Sequence, residues 1–171
     1  CMPTWSVEGW LGRTDCSGGM AMDLHIHDTD YVQHLLGTPK AVRMFGTTAP
    51  GAESLLHTVT NYLYDGDMAV TAEASWAMSP SFGFEMSFNL VLEHAVITYD
   101  CNRDPAIRVC PAKGEAFTAD LPDGGDGYMR QIAHFLKKVN GKKVQEVVPP
   151  AESMESVRIV CAELESVREN R

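Results

Sequence analysis

The sequence has few features that would suit a membrane or a nucleic acid as partner. No apolar run among its 171 residues approaches the ~20 residues that a helix needs to cross a bilayer. Positive charge is scarce, because 14 basic residues stand against 23 acidic ones and leave a net charge of −9. A phosphate backbone would be repelled by this balance. We therefore expect neither a membrane nor a nucleic acid as partner.

Two further motifs are missing. The five cysteines are odd in number and show no Cys-x-x-Cys spacing, which indicates reduced thiols and a cytoplasmic location rather than a disulfide framework or a zinc site. No Gly-x-Gly-x-x-Gly follows a strand-like segment, so the fingerprint of a dinucleotide-binding domain is absent. At this length, with 44% hydrophobic residues, we predict one domain over residues 1–171.

The densest group of chemically active side chains directly follows Gly18 and Gly19. It comprises Asp23, His25, His27, Asp28 and Asp30. A helix would place Asp23, His27 and Asp30 on one face, because residues at i, i+4 and i+7 align. Gly37 and the proline two residues later are typical of the end of such a helix. The segment therefore predicts a helix with a row of carboxylates and an imidazole.

Such a row is suited to proton transfer, since imidazole titrates near neutral pH and a neighbouring carboxylate can orient it. Two alternatives remain. Asp-x-His-x-His with a period of two resembles the opening strand of amidohydrolases, in which two histidines bind a divalent metal. That interpretation asks for a barrel, and 171 residues are short for one, so we predict no metal site. The other alternative is a solvated helix end with incidental histidines.

The rest of the chain predicts an α+β fold: a large, mostly antiparallel or mixed open β-sheet with helices packed on one face. The strongest alternation covers residues 82–92, which we expect to pair with residues 70–78 as a hairpin. Two later helices are predicted over 126–139 and 151–168. Their apolar rows are expected in the core, and consist of Tyr128, Ile132, Phe135, Leu136, Met154, Val157, Cys161, Leu164 and Val167. The uncovered face of the sheet suits a second copy of the chain, which predicts a homo-oligomer.

The pattern Gly-Gly-x-x-x-Asp-x-x-x-His-x-x-Asp resembles the C-terminal domain of the Gfo/Idh/MocA oxidoreductases. Tyr-Val-Gln-His-Leu-Leu-Gly-Thr-Pro and the strand-like Ala-Val-Arg-Met-Phe, which follow it, extend the resemblance. The resemblance implies an enzyme that uses NAD or NADP to oxidise a sugar, a polyol or a related secondary alcohol. Family members begin with a nucleotide-binding domain that this sequence lacks. We interpret the chain as the substrate-binding and oligomerisation half of a two-domain enzyme, which alone binds no cofactor tightly and is inactive.

The resemblance also assigns roles to residues. His27 is the candidate proton acceptor, and Asp23 would orient it or bind a substrate hydroxyl. Gly18 and Gly19 would allow a cofactor to approach the backbone. The candidates for substrate contacts are Asp30, His25, which stands where many relatives carry a small residue, and Trp10 and Arg13, expected on a strand before the motif. The alternatives are a non-catalytic oligomerisation module, or a metal-dependent hydrolase that uses His25 and His27.

Overall fold

The structure, a computed structural model, describes residues 6–52, 54–119 and 126–170. These residues form the α-helices α1 (Thr14–Ser17), α2 (Ile26–Leu36), α3 (Gly127–Val139) and α4 (Pro150–Glu169). They also form the strands β1 (Ala41–Thr48), β2 (Leu55–Leu63), β3 (Val70–Ser75), β4 (Ser87–Val91), β5 (Ala95–Asp100) and β6 (Ile107–Pro111). The predicted α+β class is confirmed. The chain divides into two compact units, Cys1–Phe82 with Val147–Arg171, and Gly83–Glu146.

The first unit is built on an antiparallel sheet in the order β1-β2-β3. Alternate residues of the central strand β2 are buried, namely Thr58, Thr60 and Tyr62. Helix α4 packs against β1 and α2, and α2 also contacts β3. Met20, Ala74 and Trp76 form an apolar cluster beside this sheet. The two long helices of the unit are therefore held against the sheet and against each other.

The second unit contains an antiparallel sheet in the order β4-β5-β6. Helix α3 begins where the Asp126 carboxylate accepts a hydrogen bond of 2.9 Å from the amide of Met129. This is the N-cap arrangement that satisfies an otherwise unpaired amide at a helix start. Among the described residues, no helix combines the length and apolar character that crossing a membrane requires.

The strand predictions need two corrections. The strand expected over 82–92 is only Ser87–Val91, because Pro80–Phe82 forms a 3₁₀ turn and Gly83 takes a left-handed φ of 80°. An alternating pattern cannot reveal such a break, which one residue at positive φ is enough to make. The expected hairpin is also wrong, since β3 pairs with β2 and β4 pairs with β5. The described strands form two three-stranded sheets rather than one large sheet.

The helix positions are predicted well, but their buried faces are not. The row on α3 that was expected in the core is exposed, as are Met154, Val157 and Cys161 on α4. The residues that α4 buries are Ser156, Ile159, Val160, Glu163 and Ser166. Three of these five are polar, so a search for apolar periodicity selects the wrong face of this helix.

Candidate active site

The motif begins at two glycines that the chain's own packing requires. Gly18, which ends α1, and Gly19 have left-handed φ values of 78° and 76°. A Cβ atom on Gly18 would lie 2.7 Å from Cβ of Met22, and one on Gly19 would lie 2.5 Å from Oγ of Ser54. The space beside these glycines is therefore filled by protein side chains. That Gly18 and Gly19 allow a cofactor to approach the backbone stays a prediction. The close packing of Met22 and Ser54 is sufficient to explain why glycine occupies both positions.

A single π-helical turn, Ala21–His25, connects the glycines to α2. The amide of Ile26 donates to the carbonyl of Ala21, five residues earlier. A π turn of this kind is rare and frequently occurs at functional sites. The predicted helix is confirmed through Leu36, and Gly37 ends it with a φ of 79°. The turn changes the spacing around Asp23, so the ideal alignment of Asp23 with His27 does not hold strictly.

The motif segment, residues 18–30, has one buried face and one open face. His25 and Thr29 are completely buried, whereas His27 is exposed and Asp23 is half-buried. Within the described part of the chain, no hydrogen bond or ion pair involves the side chain of Asp23 or His27. The carboxylate therefore does not orient the imidazole directly in this structure. Both groups are open to a ligand.

A network of polar side chains occupies the buried face. Nε2 of His25 lies 3.0 Å from Oγ1 of Thr60 and 3.3 Å from Oε2 of Glu163. The hydroxyl of Thr29 donates to Oε1 of Glu163 over 3.1 Å, and it lies 3.0 Å from the Tyr62 hydroxyl. All five side chains are buried. The network joins the motif segment, β2 and α4 in the interior of the first unit.

The carboxylates around His25 keep its imidazole charged. Burial lowers the pKa of His25, but interactions with Asp28 and Glu163 outweigh it and raise the pKa to about 9. Nδ1 lies 3.5 Å from the partly exposed carboxylate of Asp28 and makes no hydrogen bond. Burial and the charge of Glu163 raise the pKa of Tyr62, so its hydroxyl keeps its proton and donates to Thr29. The centre of the network is thus an imidazolium beside a carboxylate.

Of the expected substrate contacts, two are engaged within the protein. His25 is fully buried, so the expected contact with substrate is corrected to an internal ion pair. Asp30 accepts a hydrogen bond of 2.6 Å from Ser156 and so joins α2 to α4. This hydrogen bond occupies one oxygen of the Asp30 carboxylate. The role of Asp30 in binding substrate stays a prediction.

The other two expected contacts, Trp10 and Arg13, do not lie on a strand. Trp10 belongs to a 3₁₀ helix, Val7–Gly12, and is partly exposed, and Arg13 follows directly. The guanidinium of Arg13 binds both carboxylate oxygens of Asp15, at 3.2 and 2.7 Å. The predicted strand before the motif is therefore wrong. The prediction rested on a resemblance to the family's first strand. The local sequence does not support a strand, because it contains Gly9 and Gly12 and shows no alternation of apolar and polar residues.

The metal alternative gains no support from this geometry. Over residues 6–52, 54–119 and 126–170, no group of three or more histidine, cysteine, aspartate or glutamate side chains could hold an ion. His25 is buried and His27 is exposed, so the two imidazoles occupy different environments. The open face offers an imidazole and a carboxylate, a pair that fits acid–base chemistry.

The sequence alone did not reveal Glu163 and Thr60 as part of this region. Glu163 lies in the middle of α4, 138 positions after His25, and a single glutamate in a helix predicts a solvated side chain. The one available signal was His25 itself, since an ionisable side chain that is buried requires a partner. Only the fold identifies that partner.

Comparison with protein families bears directly on the motif segment. Residues 2–114 match the family described as the GFO/IDH/MocA C-terminal domain. The chain belongs to this family. The match includes the whole motif segment together with β1 to β6, and the predicted resemblance is confirmed. No curated protein matches the chain in a sequence comparison.

Solved structures share the fold of this GFO/IDH/MocA C-terminal domain. A Thermotoga maritima protein superposes with a TM-score of 0.78 at 13% identity, over 99% of this chain and 50% of that one. Levoglucosan dehydrogenase, in a complex with NADH and levoglucosan, gives 0.75 at 17% identity, over 95% and 52%. UDP-N-acetylglucosamine 3-dehydrogenase GnnA from Acidithiobacillus ferrooxidans gives 0.73 at 18% identity, over 92% and 49%. The chain therefore spans about half the length of these structures.

The charged state of His25 predicts a pH-dependent stability. A pKa raised from 6.5 to about 9 on folding stabilises the protein fully below pH 6.5, and this contribution is lost as the pH rises through about 9. The change corresponds to about 3 kcal/mol, or about 10 °C in Tm. We expect the Tm advantage of the parent over His25→Gln to shrink between pH 6 and pH 10. His34→Gln, an exposed change on the same helix, is the control. A constant Tm difference between parent and His25→Gln over this range would show that folding does not raise the pKa of His25.

Proposed function

We propose that this chain is the substrate-binding half of an NAD(P)-dependent oxidoreductase that acts on a sugar, a polyol or a related secondary alcohol. In this proposal, His27 accepts the hydroxyl proton of the substrate. Its support comes from the family, which the sequence match establishes, and from the chemistry of the open face of the motif segment. The proposal includes a nucleotide-binding half outside these residues, in keeping with the chain's spanning about half of the related structures.

The observation that carries the proposal is the outward position of His27. Its flanking residues on the buried face, His25 and Thr29, are fixed by internal hydrogen bonds, and His27 extends to the exterior without a protein partner among the described residues. A general base must reach its substrate and have a pKa close to the working pH. His27 meets the first requirement because it is exposed, and imidazole is the side chain that most often serves as a general base in enzymes.

The chemistry assigned to the chain's own residues is proton transfer and positioning. When the hydroxyl of a secondary alcohol is oxidised, its proton passes to a ring nitrogen of His27 and the carbonyl forms. Nicotinamide, when bound, supplies the acceptor for the hydride that leaves the carbon. The carboxylate of Asp23, which has no internal partner among the described residues, is suited to bind a neighbouring substrate hydroxyl. It would also stabilise the imidazolium of His27 through its charge.

We propose that the described residues form no dinucleotide site by themselves. The space at Gly18 and Gly19 is occupied by Met22 and Ser54, and the sequence has no dinucleotide fingerprint. Levoglucosan dehydrogenase and UDP-N-acetylglucosamine 3-dehydrogenase, which share the fold, act on sugars by their names. These relatives support a carbohydrate or polyol as the substrate class proposed here.

A second proposed role is self-association through the second sheet. Strand β4 is an edge strand in the described sheet, because it pairs only with β5. An unpaired edge presents free amides and carbonyls to another strand. Val91 at its end is 80% exposed and Phe84 shortly before it is 67% exposed. These features favour a second copy of the chain as the partner, which gives a homo-oligomer.

We expect His27→Ala, made in the longer protein that carries this chain, to lower kcat by ~10²–10⁴-fold, because the hydroxyl proton loses its acceptor. Folding should change little, by about 0.5 kcal/mol or less, since the side chain is exposed. Asp23→Asn should cause a smaller loss of kcat, because the amide keeps the shape without the charge. The measurement is NAD⁺ or NADP⁺ reduction with levoglucosan, UDP-N-acetylglucosamine and myo-inositol. His94→Ala, an exposed histidine in the second unit, is the control. A parent-like kcat for His27→Ala rejects the assignment.

The 171-residue chain alone should bind no nicotinamide cofactor tightly and should not turn over, since it has no phosphate-binding fingerprint. Titration calorimetry with NAD⁺, NADH, NADP⁺ and NADPH measures this directly. Micromolar affinity for any of the four would place a cofactor site in this half and contradict the proposed division of roles.

Self-association is tested by analytical ultracentrifugation of the 171-residue chain. We expect a mass of at least twice 18.8 kDa at high concentration. Val91→Lys should shift the equilibrium toward the single chain, because a charged edge residue opposes strand pairing. Val139→Lys, at an exposed valine on α3 and outside β4, is the comparison. A mass of one chain at all concentrations would exclude this interface.

A further inference from the structure

The buried network holds the motif segment at two points that are one helical turn apart. Glu163 of α4 contacts His25 through one carboxylate oxygen and Thr29 through the other, at 3.3 and 3.1 Å. These two residues are four positions apart and both are fully buried. One carboxylate thus fixes both the end of the π turn and the first turn of α2.

Two contacts on one face determine how the segment is rotated about its axis. His27 lies between His25 and Thr29 in sequence but on the exposed side. The outer part of a helical side chain lies about 5–6 Å from the axis, so a rotation of about 10° moves it by about 1 Å. Displacements of about 1 Å at a reacting group can reduce a rate by about 10²-fold. The contacts of Glu163 are therefore placed to determine where His27 meets a substrate.

Charge makes this contact specific. Both partners are fully buried, and a buried charge without a partner is strongly unfavourable, so His25 and Glu163 keep each other in place. Thr60 adds a contact of 3.0 Å to the imidazole from β2. The other ionisable groups beside the pair are Asp28 on α2 and Tyr62 on β2. Neither replaces Glu163, since Asp28 lies on the same helix as His25 and Tyr62 carries no charge.

We propose that His25 and Glu163 are positioning residues for the reaction: through His25 and Thr29, Glu163 fixes the rotation of the motif segment and so the placement of His27 and Asp23. The inference rests on the proposed function, because it gives the pair a role in proton transfer by His27. Neither residue of the pair touches the substrate. Their effect on catalysis passes through the backbone of residues 21–29.

Glu163→Gln is the main test, because glutamine keeps the shape and removes the charge. In the longer protein, with the sugar or polyol that the parent oxidises best, we expect kcat to fall by about 10–100-fold and KM to stay within about threefold. Glu152→Gln, an exposed glutamate on the same helix, is the matched control and should leave both constants unchanged. Glu163→Asp is the variant to measure if Glu163→Gln does not fold. It keeps the charge, and its shorter side chain cannot reach both His25 and Thr29.

Hydrogen–deuterium exchange supplies a readout that needs no substrate. We expect the amides of residues 21–29 to exchange at least about tenfold faster in Glu163→Gln than in the parent, and to be unchanged in Glu152→Gln. Parent-like exchange in this segment would overturn the proposal, because Glu163 would then not fix it. So would a parent-like kcat in the folded Glu163 variants.

The His27→Ala background separates this inference from the proposed function. The part of the positioning effect that acts through His27 vanishes there, so adding Glu163→Gln should lower the residual kcat by much less than the about 10–100-fold expected in the parent background. A full additional loss would overturn the positioning role. If His27→Ala itself keeps the parent kcat, the proton-transfer assignment fails and the inference fails with it. If His27→Ala loses activity but the Glu163 variants do not, only the positioning role is rejected.

Discussion

The ion pair between His25 and Glu163 is the interaction on which the arrangement of the motif segment depends. Both side chains have no solvent exposure, and each provides the counter-charge for the other. Replacing a buried ion pair by apolar residues is often neutral for stability, but removing one partner costs about 3–5 kcal/mol. Compared with apolar residues at both positions, the pair is therefore a constraint on geometry more than a source of stability. It requires α4, β2 and the start of α2 to meet in one arrangement.

This constraint divides the motif segment into two faces with separate tasks. Gly18 and Gly19 bring the chain close to Met22 and Ser54, and the π turn that follows carries His25 into the interior. The opposite face keeps Asp23 and His27 without internal partners among the described residues. A group that is to act on a ligand needs free hydrogen-bonding capacity and a fixed backbone. The segment provides both, since His25 and Thr29 are bonded within the protein and Asp23 and His27 have no partner among the described residues.

The sequence was sufficient to predict the elements that follow local rules. The helix after Gly19, its end at Gly37, and the helices that became α3 and α4 are all present, because caps and periodicity are local properties. Sequence patterns failed to predict which side chains are buried where that depends on partners far away in the sequence. Helix α4 buries Ser156, Glu163 and Ser166, whose hydroxyl and carboxylate groups bond to the motif helix and to the amide of Met44. Apolar periodicity cannot find a buried face whose polar groups are satisfied by residues more than 100 positions away.

The same limit explains why His25 was misassigned. A histidine where the resemblance implies a small residue suggested a substrate contact. Two residues along a helix, however, means nearly the opposite face from His27. A small side chain at position 25 would leave Glu163 with Thr29 as its only described partner and an uncompensated buried charge. Histidine at 25 and glutamate at 163 therefore depend on each other in this chain. The candidate site depends on both, since the contacts that satisfy Glu163 are also the ones that orient the open face of the motif.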